Sequence, residues 1–327
     1  MPTVAPYDFA EHVELATFID NQPVFALADG SVHFPLSSNK TIEAHDGLLC
    51  ATLEQNRKFI LTGGEDGRVM RISDGASELI ATQERKWIDV IASGPNGAVG
   101  FASGRTAWVV ANGETKQFDH ERAVEGLAFA PKGLRLACGR YNGVTLHWVA
   151  GSGAPVDLHW DGAHTKVMYS PDGKYIVTSM VENALHGWRL DDKISGDGKH
   201  MRMAGYPAKP KSLSWSVKGK WLASSGAPSA VCWPFFGKDG PIGKAPKQLG
   251  TRENSMTVCV ACHPTEDVVA VGYADGVIMV VRIEDGDGAQ LRPQGKGPIS
   301  SLAWDAEGIC IAFGSEEGEA GLIDVTG

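Results

Sequence analysis

Apolar residues come in short runs along this chain, each followed by a turn and then a second short apolar run. Leu127 and Phe129 alternate with Ala128 and Ala130, the two-residue period of a half-buried strand. Pro131-Lys132-Gly133 comes next. Proline presets one dihedral and glycine accepts positive φ, so the tripeptide reads as a turn. The pattern predicts a second strand over 134–139, a third over 144–148 and a looser fourth over 156–160. Asn142-Gly143, between the second and third, is a strong hairpin signal, because both central residues of that turn need φ above zero. Asp29-Gly30, Asp66-Gly67 and Asp275-Gly276 repeat the hairpin. No stretch shows the 3.6-residue period of a helix.

The same plan recurs eight times. Equivalent first-strand positions fall at Ala16, Ala51, Ile91, Leu127, Val167, Leu213, Val260 and Leu302, separated by 35 to 47 residues. Units of about 40–45 residues with four strands each are the signature of a β-propeller. The expectation is an all-β chain, a single domain over 1–327, with eight four-stranded antiparallel blades. Seven is the alternative, if the weak third copy around Gly94-Pro95-Asn96-Gly97 is irregular or merged. The last copy, 301–325, holds only three strands, and the first has no use for residues 1–11. A strand within 4–9 is therefore expected to complete the last blade as its outer strand and close the ring.

Ser170-Pro171-Asp172-Gly173-Lys174-Tyr175-Ile176-Val177-Thr178-Ser179 resembles the passage from first to second strand in the WD40-repeat family. The resemblance runs from about His12 to the C-terminus. His45 with Asp66 matches the family's paired histidine and hairpin aspartate, His12 with Asp29 does so more loosely, and His120 pairs with Asn142 instead. Trp148, Trp188 and Trp233 stand where the resemblance places the family tryptophan. Val149, Arg189 and Pro234 replace the aspartate that should follow, so the signature is degenerate. The family implies a non-catalytic scaffold that binds a protein or peptide on a loop face.

Composition narrows the partners. Forty glycines and 17 prolines suit many tight turns. A formal charge of −9 argues against a general nucleic-acid or anionic-membrane surface. No run of about 18 uncharged apolar residues predicts a membrane span. The start, Met1-Pro2-Thr3-Val4, has neither the basic nor the apolar part of a signal peptide. A cytoplasmic chain with reduced cysteines, monomeric on its own, is expected. Cys50, Cys138, Cys232 and Cys310 read as small core hydrophobes.

Candidate chemistry is sparse. Cys259-Val260-Ala261-Cys262-His263 has haem-attachment spacing. It falls on a predicted strand, however, where side chains three apart point to opposite faces. A zinc site using Cys259, Cys262 and His263 is the weaker alternative and needs a fourth ligand; no cofactor is expected. His12, His45, His120 and His164 lie at blade entrances and are expected to hydrogen-bond nearby turns. His147, His159, His186 and His200 show no ligand-pair spacing. The acidic pairs Glu65/Asp66, Asp191/Asp192 and Glu316/Glu317 read as solvated turns. No nucleophile, phosphate-cradle or metalloprotease motif occurs.

Recognition remains. The hairpins between second and third strands, with the loops entering each blade, should share one face. That face is expected to carry Glu65, Arg85, Trp87, Arg122, Arg140, Tyr141, Tyr206, Arg252 and Tyr273, the aromatic and arginine types that dominate interface energetics. A second candidate is the opposite face, where the loops 191–206 and 235–249 are longer and Phe235-Phe236 would form an apolar anchor if exposed.

Overall fold

The computed structural model describes residues 3–37, 40–190, 200–237 and 239–326. The described residues form antiparallel strands joined by tight turns, and the one helical element among them is the single 3-10 turn Pro95–Gly97. The turn signals sit where the sequence put them. Gly30, Gly67, Gly143 and Gly276 all have positive φ, as does Asn142. In the 48–82 sheet, Asp66 accepts from the Arg68 N–H across its hairpin at 2.9 Å.

The strands assemble into seven hydrogen-bonded sheets. Five are four-stranded meanders over 13–43, 48–82, 90–119, 213–249 and 257–292. A sixth combines three strands over 299–324 with Thr3–Asp8, which pairs antiparallel with Glu319–Asp324 from Thr3 opposite Asp324 to Asp8 opposite Glu319. Residues 4–8 thus supply the outer strand expected of them. The seventh sheet spans 124–203 and carries six strands, two of them 14 residues long, Arg135–Trp148 and Val156–Tyr169.

The expectation of eight separate sheets is therefore corrected: two consecutive copies, the fourth and fifth, share one sheet. The expected weak point was the third copy, but 90–119 is a regular four-stranded meander and its Gly94–Gly97 segment simply closes the first turn. The physical reason for the merger is turn tightness. Asn142 at φ 64° and Gly162 at φ 122° turn the chain so tightly that ladder pairing resumes at once on either side, Tyr141 opposite Ala163 and Gly143 opposite His159. The first-strand equivalence itself holds in every copy. Ala16, Ala51, Ile91, Leu127, Val167, Leu213, Val260 and Leu302 pair with Phe25, Thr62, Phe101, Cys138, Thr178, Ser224, Val271 and Phe313 respectively.

The chain divides into two compact units, Met1–Thr41 with Tyr206–Gly327, and Ile42–Gly205. Within each, the core lies between successive sheets. In the first unit, Ala223, Ala230 and Leu249 of one sheet pack on Val260, Val269 and Val281 of the next. In the second, Ala92, Ala107 and Val109 pack on Leu127, Leu136 and Cys138. Alternating strands bury both faces this way, and each fully buried Val, Leu or Phe contributes about 1.5–3 kcal/mol.

Candidate functional site

In the second unit, three successive loops each enter a meander after the fourth strand of the one before: 83–88, 120–123 and 161–163. They are held against neighbouring hairpins by backbone bonds. Ile88 N–H donates to Gly64 O at 3.0 Å and Gln83 N–H to Gly67 O at 2.8 Å. His120 N–H donates to Arg105 O at 2.9 Å and Val124 N–H to Gly104 O at 2.8 Å. In the third, Tyr141 pairs with Ala163, Gly162 N–H donates to the Asn142 Oδ1 at 3.2 Å, and Val181 N–H donates to Ala163 O at 3.1 Å. Loops fixed by main-chain bonds present their side chains on a preformed surface.

Three large apolar side chains stand exposed on these loops and hairpins: Trp87 at 61%, Tyr141 at 52% and Val181 at 52%. Tyr141 and Val181 flank the same 161–163 turn through the bonds just given. Trp87 lies beside the fully buried Ile88, which anchors its loop. Arg85, Arg122 and Glu65 are exposed on the same loops and hairpins. Arg140 is more tightly held. Its guanidinium donates to Thr145 Oγ1 at 2.8 Å and pairs with Asp157 at 2.6 Å. Val181 was not singled out from the sequence. Its position in the hairpin after the buried Tyr175–Met180 strand was the available signal.

Three other expected contact residues lie in the first unit, and two of them are corrections. Tyr273 is fully buried and donates its hydroxyl to Gly250 O. Tyr206 is buried, its oxygen bonded to Ser224 and accepting from the Trp233 indole. Each phenol finds internal partners because its ring fills a gap between strands, so neither can meet a partner. Arg252 is half-buried, paired with Asp275 at 2.5 Å and lying over the Tyr273 ring.

The alternative metal segment also fails on geometry. Both nitrogens of His263 are engaged: Nε2 lies 2.9 Å from Gly308 O, and Nδ1 accepts from the Thr265 and Glu266 N–H groups. Cys262 Sγ is directed to Ser214 O at 3.4 Å, while Cys259 Sγ accepts from Ser212 Oγ at 3.8 Å. The segment is strand Thr257–Cys262 and the turn that follows it.

On the second candidate face, Phe235 is buried edge-on against Trp215 at 4.7 Å between ring centres, whereas Phe236 is exposed. Phe236 and Trp221 line a cavity of about 560 Å³ rimmed by Lys220, Lys247 and Arg282. The pair Asp191/Asp192 and the loop residues 191–199 lie outside the described residues.

The histidines at blade entrances differ from one another. His45 lies between Asp66 at 3.0 Å on Nδ1 and Thr62 Oγ1 at 2.8 Å on Nε2. Burial depresses its pKa, against the opposing pull of Asp66. A neutral ring donating to Asp66 and accepting from Thr62 satisfies every partner. Asp66 is pushed up by burial but held below the usual carboxylate range by the Arg68 N–H, His45 and the Arg68 guanidinium. His164 likewise reaches Thr178 Oγ1 at 2.7 Å and Trp160 O at 2.9 Å. His120 instead gathers with Cys138 and His147, their ligating atoms all within 4.8 Å of one another. Cys138 was expected as core filler and His147 as a residue without partners of this kind.

Repeated antiparallel meanders, a terminal strand paired into the last sheet and loop-borne exposed aromatics define a β-propeller with four-stranded blades. The first comparison that bears on its kind is a match of residues 259–327 to the anaphase-promoting complex subunit 4 WD40 domain and of 36–70 to the WD domain, G-beta repeat. These matches, with the repeated four-stranded sheets, support a WD40-repeat β-propeller. Telomerase protein component 1 of Rattus norvegicus is 24% identical over 208 residues, 62% of this chain, and that of Mus musculus 23% over the same length. The alignment spans only 7% of each relative's own length. The crystal structure of the computationally designed Ika8 protein superposes with a TM-score of 0.75 at 18% identity, over 97% of this chain and 98% of that one. That likeness concerns the fold alone.

Proposed function

We propose that this chain is a non-catalytic interaction module that binds a protein or peptide through the loop surface of its second unit, centred on Trp87, Tyr141 and Val181. The observation that carries the reading is the exposure of three large apolar side chains on loops pinned by main-chain bonds. Preformed aromatic anchors lose little freedom on binding. Arg85 and Arg122 add exposed cationic groups on two of these loops. The family supports a binding role, and the matched names, a complex subunit and a protein component, are those of parts of larger assemblies.

The shared six-stranded sheet is best read as two blades, giving eight in all over a single domain. Val149 N–H donates to Leu134 O at 3.0 Å, so the strand Arg135–Trp148 folds back on itself as a hairpin. The same rung appears as Leu190 to Lys174 and Phe235 to Lys220. Ala137, Val144, Leu146 and Leu158 also pack face-on against Val167, Ile176 and Trp188, as neighbouring sheets do elsewhere.

The test is quantitative capture from the native cell by wild type and by Trp87→Ala, Tyr141→Ala and Val181→Ser, singly and together. The reading expects a specific partner retained by wild type and reduced at least tenfold by the triple variant, with unchanged melting. Equal capture by both refutes it.

A further inference from the structure

The fourth copy replaces a hydrogen-bond network with a set of soft donors. In the second copy, His45 meets Thr62; in the fifth, His164 meets Thr178. The position equivalent to these threonines in the fourth copy is Cys138, opposite Leu127 as Thr62 is opposite Ala51 and Thr178 opposite Val167. A third change joins it. Counting along the ladder from the Val149–Leu134 rung, His147 stands opposite Leu136, as Trp188 stands opposite Ile176 and Trp233 opposite Leu222. The resemblance had placed Trp148 there. It is one residue out of phase, 42% exposed, and stacked under the Arg135 guanidinium at 3.8 Å. His147 therefore fills an interior tryptophan position, and Cys138 an interior threonine position, beside His120.

Among the described residues, one nitrogen of each of these rings has no partner. His120 Nε2 and His147 Nε2 are both buried atoms with no hydrogen-bond partner, and His147 as a residue is 9% exposed. Cys138 is fully buried. The rings meet edge-on at 5.0 Å, and Phe118 covers His147 at 4.3 Å. The hairpin group that serves His45, Asp66, has become Asn142, whose oxygen is taken by the Gly162 N–H. Asp157, whose charge acts on both His120 and His147, is held by Arg140 and Thr145. Burial, with His120 adding to it, lowers the His147 pKa to about 4, and burial depresses His120 as well. A neutral imidazole is the form that ligates metals. An unpaired buried polar group costs about 1–3 kcal/mol, and two of them converging on one thiol call for a common partner.

We propose that His120, Cys138 and His147 bind one thiophilic closed-shell cation, Zn²⁺ or Cu⁺, through two imidazole nitrogens and one thiolate. Both ions lack a geometric preference from d-electrons and favour sulfur and imidazole. Bond lengths of about 2.0–2.1 Å to nitrogen and about 2.3 Å to sulfur bring ligand atoms closer than their present span, which small rotations of the three side chains supply. Binding displaces the thiol proton to solvent: the S–H bond breaks, the metal–sulfur bond forms, and no electron is transferred. With Cu⁺ the thiolate leaves the site neutral beside the paired Arg140 and Asp157; with Zn²⁺ it carries one positive charge.

The site is independent of the binding surface proposed above and fails or stands on its own. The test is an anaerobic competition of purified, reduced full-length protein, with Zn²⁺ against a chromogenic zinc chelator and Cu⁺ against a chromogenic cuprous chelator. One equivalent of at least one ion is expected to be withheld by wild type, and the arm that responds identifies the ion. Cys138→Ser should weaken binding at least tenfold, while Cys310→Ser should leave it unchanged. His147→Trp restores the residue type found at positions 188 and 233, so it should fold normally and also weaken binding at least tenfold. It decides the matter even if Cys138→Ser fails to fold. Failure of wild type to withhold either ion, or full retention by folded His147→Trp, overturns the proposal.

Discussion

Acid should unfold this protein through one histidine more than any other. His186 is fully buried, and neither ring nitrogen has a hydrogen-bond partner. Its ring stacks on Trp160 at 4.1 Å, with Trp188 at 4.6 Å and His200 at 5.3 Å. Burial is the main cause that lowers its pKa to about 3, with His164, His200 and Arg202 adding repulsion. The sign follows from linkage. The folded pKa lies below the unfolded value, so the unfolded chain takes up the proton first. The stabilising contribution is complete above about pH 6.5 and is lost as pH falls toward 3. Between pH 7 and pH 5 the unfolded imidazole protonates while the folded one does not, which costs roughly 2 kcal/mol. His186→Phe keeps the stack and removes the titration. Urea unfolding at pH 7 and pH 5 measures the difference, since the midpoint reports stability when the slope is unchanged. The variant should lose roughly 2 kcal/mol less than wild type on acidification. Equal losses in the two proteins would show that His186 protonates freely in the folded state and that its burial has been misjudged.

Two further outcomes follow from the packing. Deleting residues 1–9 removes Thr3–Asp8 from its sheet along with Tyr7 and Phe9, which contact Phe25 at 5.5 and 5.4 Å. The melting temperature should fall by several degrees or more and aggregation rise, because a strand edge is left unpaired; an unchanged melting curve would count against this pairing. At Gly126 a side chain would collide with the Thr165 carbonyl of the neighbouring strand. Gly126→Ala should therefore cost about 1–3 kcal/mol in urea titration, whereas Gly113→Ala, whose surroundings are open but whose φ is 77°, should cost about 1 kcal/mol from backbone strain alone.

Much of the fold was legible because β-meanders write themselves locally. Alternation at Leu127 and Phe129, the glycines at 67, 143 and 276, and the 35–47-residue spacing each report a two-stranded contact between near neighbours. The pairing of Thr3–Asp8 with Glu319–Asp324 was legible for a different reason: one copy lacked a strand and another segment had no use. Sheet identity was less so. Asn142-Gly143 and Gly162 mark turns, but a turn signal does not say whether pairing resumes across it, as it does between Tyr141 and Ala163. The exposure of the proposed surface was legible only in part. Trp87 and Tyr141 are exposed as anchors must be, but Tyr206 and Tyr273 are aromatic for packing, and aromatic type alone cannot separate the two uses. The His120, Cys138 and His147 cluster was missed because its members are 18 and 9 residues apart in sequence. Only alignment of the copies, with the strand register settled to one residue, brings Cys138 onto Thr62 and His147 onto Trp188.

The central proposal is that a partner binds the loop surface of the second unit. Hydrogen exchange of the chain alone and with its captured partner tests that directly. Protection is expected at 83–88, 140–142 and 180–183, with little change at 236–249. Protection confined to 236–249 around Phe236, with Trp87 and Tyr141 exchanging as freely as before, would contradict it.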